Sequence, residues 1–136
     1  MTVVAALIAD DGKLLVCQRK RGGAFELMWE FPGGKKKIEE TLEMALAREL
    51  REELGVTAKI GREVYRTRHQ YAEISEPIEL IFFVASAKPS EVCNRIFENI
   101  EWRTPESLGE LNFLPADREL IEKLASGSLS ISTLRG

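Results

Sequence analysis

Three glutamates, Glu49, Glu52 and Glu53, stand at i, i+3 and i+4, the spacing that gathers side chains on one flank of an α-helix. Carboxylates placed so closely repel one another, and a divalent cation would remove that repulsion. Hard ions such as Mg²⁺ take oxygen ligands and bind through few carboxylates plus substrate phosphates. The alternative is a solvated face, since Glu-rich helices with interspersed Arg are common and Arg48 can pair with Glu52 at i+4. That reading accounts for Arg48, Arg51 and Glu43. It does not account for three carboxylates at the margin of a core face.

The helix carrying them is expected over residues 42–54. Thr41 suits its N-cap, Glu40 and Glu43 put negative charge near its first turn, and Gly55 suits a left-handed stop. At about 100° per residue, Leu46, Leu50, Leu54 and Ala47 share one arc, the core face. Glu53 points between Leu42 and Leu46, where a carboxylate is hard to explain as a solvated group.

The wider spacing is Gly34, five residues, Glu40, seven residues, then Arg48-Glu49-Leu50-Arg51-Glu52-Glu53-Leu54-Gly55-Val56. It fills every position of the Nudix box, and the chain resembles the Nudix hydrolases, which cleave nucleoside diphosphates linked to another group. The resemblance implies a box over residues 34–56 in which Glu49, Glu52 and Glu53 hold metal, Mg²⁺ or its substitute Mn²⁺. Arg48 would orient the carboxylates, the Gly34 backbone would approach the metal, Glu40 would hold the loop to the helix, and Gly55 would end it. The flanking words WEFPGG and LPADRELIEKL resemble the MutT-type branch, whose members hydrolyse nucleoside triphosphates, including oxidised ones, to monophosphate and pyrophosphate, a sanitation of the nucleotide pool. One departure is Lys35-Lys36-Lys37-Ile38-Glu39 before Glu40, with a Lys where an acidic residue is common and Glu39 in place of a Gly.

The same branch suggests further positions. Arg19 matches an Arg that contacts a phosphate, although a basic residue at a strand end is ordinarily solvated. Glu30 and Asp117 match places used around the base. An ionised Asp117 would only accept hydrogen bonds, and its competing role is the N-cap of the last helix. Ile96 stands where an additional metal-binding Glu is usual, leaving Glu98 as a substitute or as an exposed edge-strand residue. Substrates of the ADP-ribose type and a non-catalytic nucleotide-sensing module are the competing functions; the intact carboxylate set argues against the second.

The elements must hold these residues. Residues 2–9 and Leu14–Lys20 read as a hairpin about Asp10-Asp11-Gly12-Lys13, followed by a Gly22-Gly23 loop. Val56–Ile60 and Glu63–Tyr71 read as strands. The second carries Arg66, Arg68 and His69 and follows Arg62, giving either a solvent face or a basic rim for polyphosphate. Ile78–Ala87 is nearly all apolar, so it is expected at the sheet centre with Phe82 and Phe83 on opposite faces. Phe97–Arg103 is a strand, Thr104-Pro105-Glu106 a helix start, and residues 116–125 the final helix. The fold class is therefore α/β, a mixed sheet between helices, matching the Nudix-type α/β/α sandwich implied by the resemblance.

A chain of 136 residues has the size of one domain, residues 1–136, with 44% hydrophobic and 30% charged residues. The net charge of −3 implies no general attraction to nucleic acid or acidic membranes. No apolar run approaches the ~20 residues of a membrane span. Cys17 and Cys93 are too few for a disulfide framework or zinc site, so a cytoplasmic location is expected. The polar tail Ser128–Gly136 reads as frayed or in a dimer contact, which leaves a homodimer open. The expected partner is a small nucleotide.

Overall fold

The computed structural model describes residues 1–130; most of the tail, residues 131–136, lies outside the described residues. The first strand, β1 (Thr2–Asp10), turns at Asp11-Gly12 into β2 (Lys13–Gln18), both turn residues having positive φ. Then come β3 (Trp29–Glu30), β4 (Gly33–Lys35), α1 (Leu42–Leu54), β5 (Lys59–His69), β6 (Ile78–Ser86), β7 (Asn99–Arg103) and α2 (Arg118–Ala125). The sheet runs β3-β2-β1-β6-β5, with β4 also on β1 and β7 also on β2. β1 pairs with β6 in parallel and with β2 and β4 antiparallel, so the sheet is mixed.

Alternation along the two central strands builds a core on each face. Val4, Ala6, Ile8, Ile81 and Phe83 pack with Leu46, Leu50 and Leu54 of α1. Ala5, Leu7, Leu80, Phe82 and Val84 face the other way, with Leu120, Ile121 and Leu124 of α2. Each fully buried Leu of α1 contributes about 2 kcal/mol of hydrophobic stabilisation, which fixes the helix against β1 and β6. The result is the α/β/α sandwich expected from the sequence, with Phe82 and Phe83 on opposite faces.

α1 has the expected caps. The Thr41 hydroxyl accepts the Met44 N–H at 3.1 Å, and Gly55, at φ 66°, donates its N–H to the Arg51 carbonyl. Ala45 is buried in addition to the leucines, while Ala47 is only half-buried.

Three expectations about elements are corrected. Val56–Ile60 and Glu63–Tyr71 merge into the single strand β5, whose pairing with β6 shifts register between Ile60 and Glu63 and again before Tyr65; such irregularities accommodate the extra residues without ending the strand. Pro105 starts a 3₁₀ helix (Pro105–Glu110), which stops at Leu111. The last helix is α-helical only from Arg118, because Pro115 begins a 3₁₀ turn (Pro115–Asp117) before it.

Candidate active site

Arg48 gathers the acidic residues of the motif around one guanidinium. Its Nε and Nη2 donate to the two Glu40 oxygens at 2.6 and 3.0 Å, in the fork geometry that suits Arg. Nη1 reaches Glu49 at 2.9 Å and Glu52 at 3.2 Å, and Nη2 also donates to the Lys35 carbonyl. Glu40 additionally accepts the Lys37 N–H at 2.9 Å, so it ties the tri-lysine loop to the helix. These bonds to Arg48 and Lys37 hold the Glu40 carboxyl well down, to about 2.

Glu53 lies in a different environment. It is 9% exposed, and its Oε1 accepts the Gly33 N–H at 3.1 Å. Burial first, then the charges of Glu49 and Glu30, push its carboxyl up to about 9, against the opposing Gly33 bond. Two adjacent glycines lie where a side chain would not fit beside these carboxylates. Gly33 has φ 155°, and a Cβ there would collide with the Val4 backbone; a Cβ on Gly34 would overlap the Glu49 carboxylate.

A cavity of about 560 Å³ opens beside these groups, and Gly34, Glu49, Glu53, Arg19, Glu30 and Asp117 all line it. Arg19 Nη1 donates to both Glu30 oxygens at 3.1 and 3.0 Å, and its Nε donates to the Ala24 carbonyl at 2.9 Å. Burial raises the Glu30 carboxyl, and Arg19 opposes the rise. Asp117 is 3% exposed and its carboxyl is raised well above the usual range, by burial and then by Glu30.

The capping role considered for Asp117 is excluded. Its backbone is helical (φ −92°, ψ −13°) rather than in the extended conformation that bends a capping side chain back, and it makes no cap hydrogen bond. The acceptor-only reading assumes an ionised carboxyl, and burial works against that form at Asp117.

Glu98 stands apart from the cavity: its carboxylate accepts the Arg21 N–H at 3.4 Å, while Ile96 lines the wall. The Glu98 N–H is already bonded to the Gln18 carbonyl, which commits it to the edge of β2. None of Arg62, Arg66, Arg68 and His69 lines the cavity. Arg66 pairs with Glu63 and Glu79, and the His69 ring packs on Tyr71 at 4.4 Å. Lys20 and Lys35 are the lysines at the cavity.

Several lining residues were missed from sequence. Tyr71 hides at the end of a strand. Phe25 lies in a Gly-opened loop, where its only signal is an aromatic with no strand or helix pattern around it. Phe25 and Leu27 both have positive φ, 54° and 62°, a conformation costing bulky residues about 1–3 kcal/mol each.

Among the described residues, no three His, Cys, Asp or Glu side chains converge on one point suited to a metal ion. Arg48 draws Glu49 and Glu52 toward itself while Glu53 turns to Gly33. The donor chemistry nevertheless fits a hard divalent ion: the groups are all carboxylates, and a cation would offset the burial and repulsion raising the Glu53 carboxyl.

A sandwich that sets a carboxylate-bearing helix beside a cavity with a few polar groups is the arrangement expected of a Nudix hydrolase. A NUDIX domain model matches residues 3–123. The chain is 36% identical over 120 residues to the CTP pyrophosphohydrolase of Escherichia coli K12, covering 88% of this chain and 87% of that protein. It is 34% identical to the 8-oxo-dGTP diphosphatase of Haemophilus influenzae, covering 90% and 89%. The solution structure of the Escherichia coli ORF135 protein superposes with a TM-score of 0.79 at 31% identity, covering 99% of this chain and 94% of that one. The chain belongs to the Nudix family, in its MutT-like branch, and is a Nudix hydrolase. Nudix hydrolases generally use divalent metals.

Proposed function

We propose that this Nudix hydrolase, as a single unit, cleaves nucleoside triphosphates to the monophosphate and pyrophosphate with Mg²⁺, Mn²⁺ serving as a substitute. The observation that carries the reading is the shared cavity: Glu49, Glu53 and Gly34 line the same space as the buried carboxyls of Asp117 and Glu30. One set suits a metal and phosphates, the other the polar edge of a base. The names of the relatives, a CTP pyrophosphohydrolase and an 8-oxo-dGTP diphosphatase, support triphosphate substrates.

Glu49, Glu52 and Glu53 would hold the ion, with the Gly34 backbone beside it. When bound, the ion supplies charge neutralisation for the phosphates and lowers the pKa of water. Arg48 fixes the carboxylate directions through its bonds to Glu40, Glu49 and Glu52. Glu53 Oε1 is occupied by the Gly33 N–H, which leaves Oε2 to face the ion, whose charge would favour the ionised carboxylate. Arg19, Lys20 and Lys35 bring positive charge to the cavity; Arg19 acts chiefly by holding Glu30. In its neutral form, which burial favours, Asp117 would offer one donor beside one acceptor, the complement of cytosine N3 and N4 or adenine N1 and N6. The free state of Cys17 and Cys93 fits a reducing cytoplasmic location.

The test is a screen of nucleotides with Mg²⁺ that separates pyrophosphate from orthophosphate. Pyrophosphate with monophosphate is expected. Strong ADP-ribose turnover without triphosphate turnover would move the assignment to nucleoside diphosphate derivatives.

A further inference from the structure

The loop between β2 and β3 is held by many hydrogen bonds, although Lys20, Gly23, Ala24 and Phe25 in it line the cavity. The Arg19 N–H donates to the Met28 carbonyl, the Leu27 N–H to the Arg19 carbonyl, and Gln18 Nε2 to the Leu27 carbonyl. The Gly22 N–H donates to Glu26 at 2.7 Å, and Arg19 Nε pins the Ala24 carbonyl at 2.9 Å. The same Arg19 guanidinium grips Glu30 and lies 6.0 Å from the Phe25 ring centre. This network holds Phe25 in the left-handed region, which a bulky side chain seldom adopts.

What the conformation achieves is placement of the ring. Phe25 lines the cavity and leans on Tyr71, with ring centres 5.0 Å apart at 53°. The Tyr71 hydroxyl accepts the Ala116 N–H, which sets the aromatic pair beside Asp117. An aromatic wall thus stands next to the polar groups Asp117 and Glu30. That combination suits a flat heterocycle, whose face can stack while its edge is hydrogen-bonded.

We propose that Phe25 is the platform on which the nucleobase stacks, and that Arg19 positions it through the Ala24 carbonyl. The inference rests on the nucleotide reading above and divides recognition in two. Stacking on Phe25 gives affinity for any base, because every base has a π-face. Asp117 and Glu30 rank the bases by their edges.

The experiment compares Phe25→Ala, Phe25→Leu and Phe25→Trp, each checked for folding by thermal denaturation. Steady-state kinetics would be measured with dCTP, dATP and dGTP, and calorimetry with CMP and with ribose 5-phosphate, which has no base. The Ala and Leu variants should raise KM by roughly 10-fold for all three nucleotides, with kcat moving far less and the base order kept. CMP binding should weaken in parallel while ribose 5-phosphate binding stays the same, and Trp should restore both KM and CMP affinity. Wild-type KM in the Leu variant would reduce Phe25 to apolar packing and overturn the proposal. Equal weakening of CMP and ribose 5-phosphate would do the same, by making the residue a loop spacer. A wild-type enzyme that cleaves no nucleoside triphosphate sinks the nucleotide reading instead, a result visible before any variant is made.

Discussion

Two groups of carboxyls lie within one site and have opposite character. Glu40, Glu49 and Glu52 share the Arg48 guanidinium, and the Glu40 carboxyl is held down to about 2. Glu53, Glu30 and Asp117 are withdrawn from water, and all three are raised. Arg19 partly answers Glu30, and among the described residues a backbone N–H answers Glu53. The fork of bonds from Arg48 favours the ionised Glu40 carboxylate, whereas burial without a cation favours the protonated form. The first group is therefore a clamp that shapes the motif. The second holds the groups whose state a ligand can change.

The largest effect expected from this contrast concerns turnover. Glu53→Gln and Glu52→Gln should each lower kcat by at least about 100-fold at saturating Mg²⁺, as loss of a metal-supported interaction in the transition state does. Turnover within threefold of wild type in both variants would remove the metal role from this flank of α1.

The next effect is on stability in metal-free protein. The Glu53 carboxyl is raised from 4.5 to about 9, so the folded state binds more protons than the unfolded state between those values. Stability should then fall as pH rises from about 4.5 toward 9, and Mg²⁺ should stabilise more strongly at the alkaline end. Glu53→Gln removes the ionisable group and keeps an acceptor for the Gly33 N–H. Without metal at pH 7.5, the variant should be more stable than wild type by on the order of 2 kcal/mol, by urea denaturation. A less stable variant would mean that the carboxyl is not strained by burial.

The clamp was legible in the sequence and the raised group was only partly so. Thr41, Gly55, Arg48 and the three glutamates act within one helix and its entry loop, where spacing dictates neighbours. Glu53 was placed correctly at the margin of the core face, but nothing in the spacing indicated the bond it accepts from the Gly33 N–H. The nearly continuous apolar run of β6 likewise placed both its faces in the core. The rest depended on contacts distant in sequence. Asp117 could not be separated from a helix cap without knowing that Pro115 starts a 3₁₀ turn. Phe25 meets Tyr71 only after the sheet forms, and Glu98 is drawn away by pairing to Gln18.

Asp117 sharpens the contrast at a smaller scale. A protonated carboxyl and an amide each present a donor beside an acceptor, so Asp117→Asn should keep the base order at neutral pH. Asp117→Ala removes both and should lower kcat/KM for the preferred base by roughly 10-fold, levelling the preferences. The measurement is kcat/KM for dCTP, dATP, dGTP and 8-oxo-dGTP in the three proteins. A reordering in the Asn variant would indicate an ionised Asp117 that accepts two base donors.

The smallest effect is expected at Glu40, and it tests whether the two groups are separate. The Glu40 carboxyl is lowered from 4.5 to about 2, so its stabilisation is complete above about 4.5 and is lost as pH falls toward 2. Its slope has the sign opposite to that of Glu53. Glu40→Gln should flatten only this acid limb, because Gln keeps weaker bonds to Arg48 and the Lys37 N–H. Turnover should fall only about threefold, since Arg48 still holds Glu49 and Glu52. Acid and alkaline denaturation of metal-free wild type, Glu40→Gln and Glu53→Gln measures both limbs. If Glu40→Gln also changed the alkaline limb, Arg48 would be transmitting charge between the groups, and the clamp and the buried carboxyls would form one titrating unit.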